Sequence, residues 1–138
     1  VHPDAGFVVP GPVAGLDAVW VDGIAAVAGA DVAVVASGTA TLELAALDVP
    51  MVVVYRVYPA TAAVARRLLQ VERVALPNVL AGRDCVPEHL QRLDPDAIAA
   101  DALRLVGRRG QVPREIVAGL QGERAVERAA DEVARWLR

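Results

Sequence analysis

Two short stretches carry the polar residues whose types and spacing could do chemistry. In the first, VVASGTATLELA (Val34 to Ala45), an apolar run stops at Ser37-Gly38-Thr39 and resumes as a helix-like segment whose one acid is Glu43. A turn at the end of a strand, running straight into a helix, presents free N–H groups and the positive end of the helix dipole, an arrangement that favours an anion. Gly38 lets the backbone approach a ligand closely. The hydroxyls of Ser37, Thr39 and Thr41 either cap the helix or donate to phosphate oxygens. Glu43 is four residues past Thr39, whereas a capping box needs its acid at the third position, here Leu42. On a helix apolar on nearly every side, a buried acid needs a partner, and the two hydroxyls of a ribose suit it. The alternative is an acid that simply faces solvent.

The second stretch, LPNVLAGRDCVPEHL (Leu76 to Leu90), offers Asn78 and Arg83. Asn78 both donates and accepts, as reading a base or a sugar requires. Arg83 presents a planar fork that matches a diphosphate. An ordinary turn asparagine and a solvated arginine are the plain alternatives. His89 reads as a helix-surface residue and His2 as part of a loose terminus. Neither has metal-ligand spacing to a cysteine or a second histidine, so no metal and no cofactor are expected. Cys85 has no evident activating partner and is read as structural.

The elements that must position these residues follow from the pattern of the chain. Residues 1–18, rich in proline and glycine, read as a loop-rich segment with one edge strand at Phe7-Val8-Val9. Val19-Trp20-Val21 reads as a strand and Ile24–Gly29 as a short helix. DVAVVA (Asp31 to Ala36) is a continuous apolar run, expected to be a strand buried on both faces. A helix over Ala40–Leu47 follows, then a strand opened by Pro50, then a helix over Pro59–Gln70 with its proline in the first turn. Arg73–Leu76 is expected as a third core strand, ended by Pro77-Asn78, with a turn at Gly82-Arg83. Beyond Pro77 the pattern predicts only helices: Asp84–Gln91, Asp94–Val106 with Ile98, Ala102 and Leu105 on one face, and Pro113 to the end, broken near Gly119 and Gly122. Alternating strands and helices with short connections imply an α/β fold, a parallel sheet with flanking helices. The expected division is 1–18, an α/β core over 19–93, and C-terminal helices over 94–138.

Bulk properties narrow the class. Hydrophobic residues are 55% and aromatics 4% of the 138 residues, so the core must be built from Val, Ala and Leu. A net charge of −3 with no long basic block argues against a general nucleic-acid binder. The single cysteine rules out an internal disulfide and suits a reducing compartment. No apolar run reaches the roughly 18–20 residues of a membrane span, and the front shows no signal-peptide pattern. A chain that starts at Val1 with Met51 as its sole methionine reads as a fragment, or as one from which something upstream was removed.

ASGTATLELAALDVPMVVVYRVYP, followed by ARRLLQV and LPNVLAGRDCVPEHLQ, resembles the lipid-A-disaccharide synthase family, inverting glycosyltransferases of the two-domain GT-B fold. The resemblance runs from about Asp31 to Gln91, and SGTATLE together with LPN-x-LAGR at this separation is specific to it. It implies a partial Rossmann-like C-terminal domain with a helical tail. It implies a donor, UDP-2,3-diacylglucosamine, a lipid acceptor, 2,3-diacylglucosamine 1-phosphate, and a β-1,6-linked product with release of UDP. Ser37, Gly38 and Thr39 would face the diphosphate, Glu43 would hold the ribose, and Asn78 and Arg83 would belong to the second motif of the site. The acceptor site and catalytic base are expected in the missing N-terminal domain of the same enzyme, leaving no catalytic residue here and the fragment inactive alone. A cytoplasmic location is implied, with peripheral contact at the inner membrane. Arg66-Arg67 beside Val64, Leu68 and Leu69 would rest on anionic lipid, unless those leucines pack on the sheet. A C-terminal stripe of Val126, Ala130, Val133 and Leu137 lacks a partner and predicts association, a homodimer included.

Two departures stand out. Asp84 replaces the glutamate usual after AGR, and Ala62, Ala63 and Val64 replace aromatic residues. Two alternatives remain: another GT-B enzyme acting on a UDP-sugar, an epimerase or a transferase, and a non-catalytic nucleotide-binding module.

Overall fold

Strand β3 (Ala33–Ala36), helix α1 (Ala40–Ala46) and strand β4 (Met51–Tyr55) form the unit on which the rest of the fold is built. The computed structural model describes residues 8–9, 19–20, 23–56, 73–120 and 134–135. Before this unit come β1 (Val8–Val9) and β2 (Val19–Trp20), a parallel pair, and a 3-10 turn over Ile24–Val27. After it come α2 (Leu76–Ala81), β5 (Glu88–Leu90), α3 (Pro95–Leu105) and α4 (Arg114–Leu120). β3, β4 and β5 make a three-stranded parallel sheet with β4 in the centre. The fold is therefore α/β with a parallel sheet and flanking helices. The expected helix over Pro59–Gln70 and the C-terminal stripe from Val126 to Leu137 lie outside the described residues.

The core follows from the alternation of β4. Met51 and Val53 are fully buried on one face, among Leu44, Ala45, Val49, Ala75, Val86 and Val112. That face is covered by α1, α2 and α4, which also touch one another. Val52, equally buried, points the other way, where α3 crosses β4. α3 begins at Asp94, whose carboxylate accepts from the amides of Asp96 and Ala97, and Pro95 fills its first turn. Ile98, Ala102 and Leu105 share its half-buried face, as their spacing predicts.

One end of the sheet is tied down. Gln111 Oε1 accepts from the Met51 amide at 2.7 Å, Asp48 Oδ1 from the Gly110 amide at 2.6 Å, and the Asp31 carbonyl from the Gly107 amide at 3.2 Å. These contacts close the N-terminal ends of the strands. The Ser37-Gly38-Thr39 turn lies at the opposite end, beyond the carboxyl end of β3, where open parallel sheets bind ligands, whereas the Gly82-Arg83 turn precedes β5.

Four sequence expectations need correction. β3 is not buried on both faces: Val34 is 54% exposed and Ala36 is exposed, because α3 lies over β4 and β3 is the sheet's edge. β4 is the strand that the continuous apolar pattern describes. Arg73–Leu76 is no strand of the sheet. Its extended residues offer the Val74 and Ala75 amides to the side chain of Glu88 instead of to a neighbouring backbone. Pro77 therefore opens a helix rather than ending a strand, sitting in the first turn of α2. Lastly, the segment expected as helix Asp84–Gln91 contains β5. Pro87 cannot donate inside a helix, and its carbonyl instead accepts from Val53 at 2.9 Å while the Gln91 amide reaches Tyr55.

Candidate functional site

The turn Ser37-Gly38-Thr39 leaves the carboxyl end of β3 and enters α1. Ser37 still belongs to the sheet, its amide bonded to the Val54 carbonyl at 3.0 Å. The next amide to find an acceptor is that of Thr41, on the Gly38 carbonyl at 3.1 Å. Between them the amides of Gly38, Thr39 and Ala40 have no acceptor among the described residues. Nothing among the described residues lies within 4 Å of where a Cβ on Gly38 would stand.

The hydroxyls divide by role. Thr41 is buried and donates to the Gly38 carbonyl at 2.6 Å, which holds the turn against its own helix. Ser37 donates to the Val74 carbonyl at 2.8 Å. Thr39 occupies the N-cap position yet is exposed, and its side chain caps nothing. Of the three hydroxyls, Thr39 keeps its proton available to a ligand.

Glu43 is exposed. The expectation of a buried acid is corrected: α1 packs through Thr41, Leu44 and Ala45, and Glu43 falls on the opposite side of the helix. Its carboxylate has no partner among the described residues, so it remains open to donors from outside.

Asn78 is placed differently from an expected ligand reader. It is 1% exposed and saturated within the protein. Its Nδ2 donates to the Val86 carbonyl at 2.8 Å and to Glu88 Oε1 at 2.6 Å. Its Oδ1 accepts from the amides of Cys85 at 2.8 Å and Val86 at 2.9 Å, and from the Cys85 thiol. One buried amide thus holds the strand that follows the Gly82-Arg83 turn to the helix that precedes it.

α2 ends at Gly82 in the left-handed conformation, φ 64°, which glycine adopts without penalty. Arg83, next along, is exposed and has no carboxylate partner among the described residues. Asp84, the residue that departs from the resembled pattern, accepts from Arg73 Nε at 2.7 Å. The arginine that could meet an anion is thereby held between a glycine cap and an ion pair.

Cys85 and His89 have places within the fold. Burial pushes the Cys85 thiol above its ordinary pKa, as a structural cysteine should show. His89, expected on a helix surface, sits on β5, where its Nε2 meets Asp101 Oδ2 of α3 at 2.8 Å, and Arg104 joins the same carboxylate.

Sequence reasoning missed Glu88. Its two oxygens accept from Val74 N at 3.0 Å, Ala75 N at 3.1 Å and Asn78 Nδ2 at 2.6 Å. Ala75 is the N-cap of α2 and supplies no side-chain cap, so Glu88 supplies the acceptor and the negative charge from another element. The one local signal was Pro87, which biases Val86 toward an extended conformation. Ser37 and Asn78 are thus joined through Val74 and Glu88, whereas Thr39, Glu43 and Arg83 remain open at the surface.

Comparison with known proteins adds the family. Residues 18–131 match the family described as lipid-A-disaccharide synthetase. A lipid-A-disaccharide synthase of Anaeromyxobacter dehalogenans (strain 2CP-C) is 41% identical over 160 aligned positions, which cover 99% of this chain and 42% of that protein. One from Koribacter versatilis (strain Ellin345) is 44% identical over 110 positions, covering 75% and 29%. One from Gluconobacter oxydans (strain 621H) is 59% identical over 66 positions, covering 48% and 16%. The chain spans less than half the length of these curated relatives.

Proposed function

The chain belongs to the lipid-A-disaccharide synthetase family, and we propose that it is the part of such an enzyme that holds the UDP-sugar donor. In this reading the parent is an inverting glycosyltransferase of lipid A biosynthesis. It joins UDP-2,3-diacylglucosamine to 2,3-diacylglucosamine 1-phosphate. The acceptor hydroxyl attacks the anomeric carbon, the bond to the diphosphate breaks, and UDP leaves. The hydroxyl proton goes to a base in the N-terminal domain, outside this chain.

The observation that carries the proposal is the open turn. Three successive amides without acceptors among the described residues, at Gly38, Thr39 and Ala40, precede an exposed acid, Glu43, one helical turn later. The amides and Thr39 would face the diphosphate, and Arg83 would add a positive charge. Together they would stabilise the charge that builds on UDP as it departs. Glu43 would accept from the ribose hydroxyls. Ser37, Thr41 and Asn78 would act from behind, by holding the turns. The chain alone would bind the donor without transferring it. Among the described residues no helix is long and apolar enough to cross a membrane, and contact with lipid on the cytoplasmic face would be peripheral.

Calorimetric titration of the chain with UDP, UMP and uridine tests this reading. UDP should bind more tightly than UMP, and UMP more tightly than uridine. Equal affinity for UDP and uridine would remove the phosphate role of the turn.

A further inference from the structure

Glu88 lies inside the protein's own hydrogen bonding, at none of the positions proposed to touch the donor. Its place is nonetheless unusual, because both halves of the candidate site are tied to it. On one side, Ser37 Oγ holds the Val74 carbonyl, and the Val74 and Ala75 amides end on the two oxygens of Glu88. On the other, Glu88 Oε1 accepts from Asn78, whose remaining bonds fix Cys85 and Val86, the residues just after Arg83 and Asp84. Arg73, beside Val74, closes the loop through Asp84. The backbone between residues 73 and 75 makes no sheet ladder that would hold it independently of these side chains.

We infer that Glu88 is a positioning residue that sets where the Ser37-Gly38-Thr39 turn stands relative to the Gly82-Arg83 turn. Its charge is what the geometry requires. Two backbone N–H groups and one amide N–H converge on it, and only a carboxylate offers acceptors at both oxygens with no donor of its own. A glutamine there would turn an N–H₂ toward an N–H. The spacing of the two turns would loosen while the sheet, whose ladder does not involve this side chain, stayed formed.

The inference rests on the proposed function only for its binding readout. The experiment uses the 138-residue chain and three variants: Glu88→Gln, Ser37→Ala, and Val52→Ala as a control in the core on the opposite face of the sheet. Amide resonances are assigned, and UDP is titrated by calorimetry. Glu88→Gln should move the signals of Gly38 and Thr39 as well as those of Gly82 and Arg83, and should weaken UDP binding by about fivefold. Ser37→Ala should move Gly82 and Arg83 through the same path, and it serves as the test if Glu88→Gln does not fold. Val52→Ala should lower stability and leave both turns and the affinity in place. Unmoved turns in the first two variants would overturn the inference. So would equal effects in the control, or an unchanged UDP affinity in Glu88→Gln. If the unaltered chain takes up no UDP, the proposed function fails, and the amide signals alone decide the role of Glu88.

Discussion

Ser37 donates its hydroxyl to the carbonyl of Val74 at 2.8 Å, joining two segments 37 residues apart in the chain. The turn at the end of β3 is thereby held by a long-range contact as well as by its own helix. Ser37→Ala should cost about 1 kcal/mol, since the Val74 carbonyl loses a donor and no other side chain replaces it. Urea denaturation at neutral pH measures this. A stability within experimental error of the unaltered chain would show that the bond contributes nothing.

Asn78 offers the largest single effect. Asn78→Ala leaves the part-buried Cys85 amide and the buried Val86 amide without an acceptor, and each loss of a buried partner costs roughly 1–3 kcal/mol. We expect a clear fall in the urea midpoint, with lost donor binding following from lost structure. Asn78→Asp keeps the acceptor but sets a carboxylate against Glu88 Oε1, where the amide now donates at 2.6 Å. The two like charges would repel, so Asn78→Asp should also lower the urea midpoint at neutral pH. An unchanged midpoint would contradict the assigned geometry.

Glu43 should separate binding from folding. Because its side chain is exposed and has no hydrogen-bond or ion-pair partner among the described residues, Glu43→Gln should leave thermal stability unchanged. If it holds the ribose, kcat/KM of a full-length parent carrying the change should fall about tenfold or more. Steady-state kinetics with varied donor is the measurement. An unaltered kcat/KM would return Glu43 to an ordinary surface acid.

Gly82 ends α2 at φ 64°, and a side chain there is strained even though nothing within 4 Å would touch its Cβ. Gly82→Ala should cost about 1–2 kcal/mol for forcing an L-residue into the left-handed region. Gly82→Asn should cost less, since asparagine tolerates that conformation. Parallel urea titrations of the two variants give the comparison. Equal losses would mean that the backbone conformation is not what selects glycine.

Cys85 makes the chain's alkaline behaviour readable, because the sequence contains no lysine. Burial raises the thiol pKa in the folded state, against the nearby Arg83 charge, which lowers it. The sign follows from linkage. A folded pKa above the unfolded value means that this group's contribution to stability is present below the unfolded pKa, near 8.5, and is lost as pH rises through the folded one. The native chain should therefore react slowly with a thiol reagent at pH 7.5 and lose stability above about pH 8.5. Cys85→Ala should flatten that loss. Rapid modification of the native thiol would contradict its burial.

The sequence by itself determined what local pattern and chemistry can determine. The apolar runs before Ser37 and after Pro50 are strands, Ala40–Ala46 between them is a helix, and the glycine turn lies at a carboxyl end of the parallel sheet. The Asp94-Pro95 start of α3 and the turn at Gly82 were equally legible, since each follows from the residue's own backbone preferences. Only the tertiary structure decided which polar residues face outward and which hold the fold. Glu43 and Glu88 are both acids in mainly apolar stretches, yet one is open to solvent and the other collects amides from residues 74, 75 and 78. Local periodicity registers which side of an element a residue occupies, not which distant backbone comes to meet it. Segment 73–75 passes for a strand because it is extended, but its amides end on a side chain, and the strand position in the sheet goes to residues 88–90. β3 is apolar throughout yet half exposed for a related reason. Whether both faces of a strand are covered depends on where the helices cross the sheet, and α3 crosses at β4.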